Sequence, residues 1–332
     1  MSAAPVHVER ASSTVAGVPR PAAAPARSRS SDGPGSPGSP TSRTGPTSTA
    51  RPRRRSLPAG SVAGISIFAT ISALALWGVL FALVLSPWQQ LGSQRQLFAA
   101  YREQIAAQTI PIGGVIEPGA PVAMLGIPSI DLHDVVVVEG TSAAELQAGP
   151  GHRRDTALPG EPGLTVLMGR SELFGAPFGR LVDLRAGDTI KVTGGLGTFE
   201  YKVDQLRRSG DPVPAAPGAD AARLTLVTSE PGADRFSRET VFVDATLQGA
   251  PQVGEPGRPT AIADNETNMA GDQGSMIVLV LWLEALAAAI VALAWANARW
   301  GRAQLLLVGV PIVLCTLWGV SESATLLLPN LV

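Results

Sequence analysis

Groups able to do covalent or metal chemistry are scarce in this chain. It holds one cysteine, Cys315, and three histidines, of which His133 and His152 lie in its middle third. A thiol attacks only as thiolate, and Cys315 falls inside an apolar run, surroundings that keep the proton on sulfur. So small a set excludes a cysteine-ligated cluster and leaves little for any metal site, so neither metal nor cofactor is expected. Two carboxylates, Glu284 and Glu322, also lie inside apolar runs, where a charge is expensive and marks a function. They could share a proton or hold a partner helix, or be protonated or reach the outer headgroups, and the sequence leaves both readings open. Counted from the run ends, an antiparallel hairpin would set them at similar depth.

The elements that must position these groups follow from composition. The 332 residues allow one or two domains. With 36 Gly and 28 Pro but 2 Tyr and 8 Phe, the chain is neither a collagen nor a disulfide scaffold. Charge is uneven: residues 1–60 hold nine Arg and two acids, whereas residues 61–273 hold more acids than bases. Residues 1–60 are rich in Pro, Ser and Arg and cannot bury enough surface to order, so a disordered tail is expected there. It ends in Arg51, Arg53, Arg54 and Arg55, directly before the uncharged apolar stretch Val62 to Leu85. That stretch reads as a transmembrane helix over 61–86, longer than the apolar core of a signal peptide. Runs at 275–298 and 303–328 read as a second and third span, joined by a turn with Arg299 and Arg302. The positive-inside rule puts the Arg-rich tail and this turn in the cytoplasm and the intervening residues outside, a multi-pass cell-membrane protein. Trp88 and Trp300 stand where interfacial anchors would, and the Arg cluster could also bind anionic lipid.

Residues 87–120 read as a helical stalk, with Leu91, Leu97, Phe98, Tyr101 and Ile105 near helical spacing, followed by a Pro/Gly-rich linker. Over 121–248 the apolar period becomes two, as in Phe199, Tyr201 and Val203. Short strands are expected at Val135–Val138, Leu164–Met168, Asp188–Thr193, Thr198–Asp204, Arg223–Thr228 and Thr240–Asp244. One helix interrupts them, opened by Ser142 and Glu145 in capping-box spacing. The pattern predicts a mainly β fold, a small barrel. Residues 249–274 return to Gly, Pro, Asn and Asp and read as a flexible tether.

Within this region stand Ile127-Pro-Ser-Ile130, Val138-Glu-Gly-Thr141, Gly149-Pro-Gly-His152, Thr156-Ala-Leu-Pro-Gly-Glu-Pro-Gly163, Phe174-Gly-Ala-Pro-Phe178, Gly187-Asp188 and Leu224-Thr-Leu-Val-Thr228. In order and spacing they resemble the sortases, most closely the actinobacterial class E type, over about 125 residues. The resemblance implies a closed eight-stranded β-barrel. In such a barrel a Cys at a strand end attacks a Thr-Gly bond of a sorting signal, a His protonates the leaving group and an Arg steadies the oxyanion. It also implies a Gram-positive host and, as partner, a sorting-signal-like peptide or another cell-envelope protein, with no nucleic acid. At the positions of the family's Cys and His this chain has Ser229 and Arg170; Arg238, or else Arg235, would match its Arg.

That departure has a chemical cost. A serine hydroxyl is a weak nucleophile unless a base takes its proton, and a guanidinium cannot be that base. His152 is the one remaining candidate base; the plainer reading is that it orders its Gly-rich loop. Arg170 and Arg238 could line one anion site or pair with Glu172, Glu230 or Asp234 at the surface. The sequence therefore predicts a catalytically degenerate sortase-like module that binds a peptide or envelope partner. The alternatives are a transpeptidase or hydrolase using Ser229, and a barrel that merely caps a membrane assembly built on Glu284 and Glu322.

Overall fold

The computed structural model describes residues 59–230 and 239–332; the Arg-rich tail, Arg235 and Arg238 lie outside them. The first element is one long helical rod: α1 (Ala59–Leu80), a π-helical turn (Phe81–Leu85) and α2 (Ser86–Ala107). Pro87 explains the turn. Its ring nitrogen cannot donate to the preceding helical turn, and a widened turn is one way a helix passes such a residue without breaking. The rod ends at Gln108 in the left-handed conformation, φ 57°.

The barrel follows. Its strands are β1 (Pro121–Ile127), β2 (Leu132–Glu139), β3 (Gly151–His152), β4 (Gly163–Met168), β5 (Thr189–Gly194), β6 (Gly197–Arg208), β7 (Ala222–Ser229) and β8 (Thr240–Leu247). They close in the order β1-β2-β3-β4-β7-β8-β6-β5, so every strand has two neighbours and the sheet has no free edge. Two pairings, β2 with β3 and β4 with β7, are parallel; the rest are antiparallel. Helix α3 (Ala143–Ala148) has the capping box expected of Ser142 and Glu145. The expected closed eight-stranded barrel is thus present; β1 and β3 are the strands that the alternation did not mark.

The pleat sends alternate side chains of each strand to opposite faces. Leu224 and Leu226 of β7 join Leu125, Ile190, Tyr201 and Val243 in the barrel interior. Val227 of β7, with Val166 and Met168 of β4, faces outward into a second apolar cluster completed by Leu146 of α3 and by Leu331. One glycine is required by close approach: at Gly160, φ +93°, an added Cβ would fall 2.2 Å from the ring of Phe199.

Helices α4 (Ser275–Asn297) and α5 (Arg302–Leu327) form an antiparallel hairpin. Gly319 lets Trp282 lie flat on α5, since a Cβ there would meet the indole at 2.3 Å. Helix α5 also holds the rod: Trp77 Nε1 donates to Ser321 Oγ at 2.9 Å, Gln89 Nε2 to Glu322, and Phe81 meets Trp318 edge to face at 5.9 Å. Rod, α4 and α5 are long and apolar enough to cross a membrane.

Two expectations change. Residues 249–274 do not hang free. Gly113 bridges to Glu255, Arg258 pairs with Glu139, and Glu266 is buried against Arg154. Nor are the two apolar-run carboxylates level. Gly319 lies against Trp282 and Gly309 against Leu293, a register that sets Glu322 about five residues, roughly 7 Å, further along the hairpin than Glu284. Glu284 is exposed on α4, whereas Glu322 accepts the Gln89 amide at 3.0 and 3.1 Å, so the two carboxylates have separate surroundings.

Candidate functional site: a peptide carbonyl held at Ser229

The parallel ladder of β4 and β7 puts Met168 beside Val227. Two residues further along each chain, on the same outward face, come Arg170 and Ser229. Backbone pairing continues that far, with Gly169 N–H donating to the Val227 carbonyl at 3.0 Å. Ser229 ends β7 opposite Thr240 of β8. The spacing thus brings these two residues to one place, and both are fully buried.

They face a third element, the segment that follows α5. Leu331 contributes a carbonyl oxygen that accepts from Ser229 Oγ at 2.9 Å and from Ser171 N–H at 2.9 Å, and that lies 3.2 Å from Ser171 Oγ. The two hydroxyl oxygens are 2.5 Å apart. With the Ser229 proton on the Leu331 carbonyl, the Ser171 hydroxyl donates to Ser229 Oγ. Arg170 Nη1 donates to the Val332 carbonyl at 2.8 Å and Nη2 to the Ala143 carbonyl at 3.0 Å, and its guanidinium lies over the Phe174 ring at 5.0 Å. Burial pushes this guanidinium down to about 10, opposed by Glu322 nearby. It therefore stays a cation at neutral pH.

His152 does not join them. Its Nε2 donates to the Ala157 carbonyl at 2.9 Å, and Nδ1 lies 2.9 Å from Glu139 Oε2 and 3.1 Å from Arg258 Nη2. Arg258 Nη2 also reaches Glu139 Oε1 at 2.6 Å and the Arg154 carbonyl at 3.0 Å. Both ring nitrogens are engaged, so the candidate base is corrected to a structural residue. It pins β3 to β2 and both to the segment carrying Arg258. His133 is exposed and bonds Asp131. Glu230 is an exposed partner of Arg208 rather than a neighbour of the hydroxyl. Cys315 is exposed on α5. Among the described residues no group of His, Cys, Asp and Glu could hold a metal ion.

Ser171 and residues 330–332 were not singled out in the sequence. The strand period offered a signal for neither, because Ser171 lies beyond the end of β4 and the segment follows an apolar helix. Asn330 anchors that segment: its Nδ2 donates to the Thr141 and Thr267 carbonyls at 2.9 Å each, and its N–H to the Ala270 carbonyl at 2.8 Å.

What this arrangement does chemically is limited and clear. The Ser229 hydroxyl and the Ser171 N–H converge on one backbone oxygen and a cation holds the next, a grip on a turn that Val332 N–H closes on the Pro329 carbonyl. An acyl-transfer site would also need a base for the hydroxyl proton. Among the described residues, the groups hydrogen-bonded to Ser229 Oγ are a hydroxyl and a carbonyl.

Residues 125–248, from β1 to just past β8, match the family model of the Sortase domain. Among known proteins, the chain is similar to Sortase D of Bacillus subtilis (strain 168), 34% identical over 87 residues; the match covers 26% of this chain, and the chain spans 42% of that relative's length. Among solved structures it is similar to a Clostridium perfringens Sortase D5 transpeptidase at 22% identity and TM-score 0.40, covering 48% of this chain and 99% of that one. It is also similar to sortase E from Streptomyces avermitilis at 29% identity and TM-score 0.34, covering 41% and 92%.

Proposed function

We propose that the protein is a membrane-anchored, sortase-type module on the outer face of the cell membrane that binds an extended peptide and does not cut it. The ligand is a sorting-signal-like segment or a stretch of another envelope protein. The Arg-rich tail and the Arg299/Arg302 turn favour the cytoplasmic side, which leaves the barrel outside. Lipid contacts come from the three apolar helices and the Arg cluster.

One observation carries this reading. The Ser229 hydroxyl, which stands where the resemblance expects a thiol, has a permanent cation on the neighbouring strand and a serine and a carbonyl as its hydrogen-bond partners. A hydroxyl so placed can hold a peptide carbonyl, but among the described residues it has no partner that takes its proton.

The test uses the full chain in detergent or lipid. A serine-reactive fluorophosphonate is expected to leave Ser229 unlabelled, and Ser229-specific labelling would defeat the proposal. Exchange of both residues, Ser229→Cys with Arg170→His, supplies the missing thiol and imidazole. Recovered cleavage of a sorting-signal peptide would show that chemistry, not the groove, is what differs.

A further inference from the structure

We infer that the pocket at Ser229 already holds a peptide, the chain's own segment Asn330–Val332, and that an incoming peptide binds only by displacing it. This deepens the proposal above and rests on it for the nature of the competing ligand.

Three features separate this segment from ordinary core. It reaches the barrel from the far side of α4 and α5, and it is held mainly by backbone groups: the carbonyls of Leu331 and Val332 on Ser229, Ser171 and Arg170, and the Asn330 N–H on Ala270. Such contacts read a backbone whatever its side chains. Two side chains are read in addition: Asn330, whose Nδ2 donates to the Thr141 and Thr267 carbonyls, and Leu331. Leu331 is fully buried among Leu146, Val166, Met168 and Val227, an aliphatic slot on the outer face of β4 and β7. Finally, the donors depend on the occupant. Arg170 has no side-chain carboxylate among the hydrogen-bond acceptors described for it, and its Nε is already without an acceptor among the described residues. Withdrawal of the segment strips Ser229, Ser171 N–H and Arg170 Nη1 of acceptors at once. Leaving such buried donors unmade is costly, so an open pocket favours any chain that offers two successive carbonyls behind an aliphatic residue. The occupant is itself a turn, closed by Val332 N–H donating to the Pro329 carbonyl at 3.0 Å, so the ligand class is a peptide able to turn in this way, with Leu or a similar side chain at the Leu331 position.

The experiment reads the segment and the ligand separately. In the full chain carrying Cys315→Ser and Ser229→Cys, the alkylation rate of the introduced thiol by a maleimide reports whether the pocket is closed. Ending the same chain at Leu328 is expected to raise that rate about tenfold or more, and Leu331→Asp in the intact chain serves if the shortened one does not fold. Equal rates with and without the segment overturn its role as occupant and leave the binding proposal standing. Binding is read by the anisotropy of a fluorescein-labelled acetyl-Pro-Asn-Leu-Val peptide. It is expected to be about tenfold or more tighter to the opened pocket than to the intact chain. Equal binding to both overturns the competition. A reactive thiol with no peptide binding overturns the pocket as a peptide site, and with it the binding proposal.

Discussion

Two buried polar clusters sit on this barrel, and they are satisfied in opposite ways. At His152, charge meets charge: Glu139 carries both the imidazole and Arg258, and every partner belongs to the barrel or to the strap beside it. At Ser229, a cation and two hydroxyls meet backbone oxygens from a segment that arrives from elsewhere in the chain. The first cluster is a rivet. The second is a socket with something in it. A histidine in one of the quoted motifs therefore signalled structure, while Arg170 and Ser229 came to hold a segment from elsewhere in the chain.

The largest effect expected from breaking this contrast is at the rivet. Glu139→Leu strands Arg258 and His152 in the interior, a loss of about 3–5 kcal/mol by the usual cost of halving a buried pair. Denaturant unfolding should show it, and the pocket thiol of the alkylation assay should remain slow wherever the chain is folded.

Strong alkali separates two buried groups of opposite sense. Burial raises Tyr201 from 10 to about 12, with Gly160 N–H opposing, so its contribution is present below pH 10 and lost as pH climbs toward 12. Arg170 falls from 12.5 to about 10, so between those values the unfolded chain binds the extra proton and stability rises with pH. The two slopes oppose each other between pH 10 and 12, each worth about 3 kcal/mol across its window. Tyr201→Phe should tilt the stability profile upward there and Arg170→Met downward, measured by urea midpoints against pH. Identical tilts in both variants would contradict the assignment.

Asn330→Ala removes two hydrogen bonds to buried carbonyls, about 1–3 kcal/mol. The loss should appear as faster thiol labelling in the pocket, with a much smaller change in the unfolding midpoint of the barrel. Least is expected at the rim. Glu230→Gln breaks only the exposed pair with Arg208 and should leave the melting temperature unchanged, since such pairs are screened by water.

Much of the scaffold was legible because simple periods carry it. Alternation in Phe199, Tyr201 and Val203 marked β6, the Ser142/Glu145 spacing marked α3, and long apolar runs marked the three apolar helices. The short β3 was not legible, as two residues, Gly151 and His152, are too few to show a period. At the site, Ser229 and Arg170 were placed by their motifs, and the ladder register sets them side by side. Ser171 and Leu331 were invisible for a physical reason: their role lies in backbone carbonyls and one short hydroxyl, and a carbonyl carries no residue type. The depth of Glu284 and Glu322 was misjudged because helix-hairpin register depends on which residue is small enough to admit a neighbour, here Gly319 beneath Trp282.

The barrel is fastened at two places rather than one. Gln94 of the rod grips β2 through the Val136 backbone and reaches the Ala148 carbonyl, Tyr101 bonds the Thr193 carbonyl of β5, and on another side Asn330 and Leu331 tie the end of α5 to the β4 and β7 face. A body on a single stem swivels freely; a second stay removes that freedom and leaves only a hinge along the line joining the two. While both hold, the face bearing Ser229 keeps one compass bearing relative to the apolar helices, and letting go of residues 330–332 would uncover the face while Gln147 of α3 still reached Thr325 of α5.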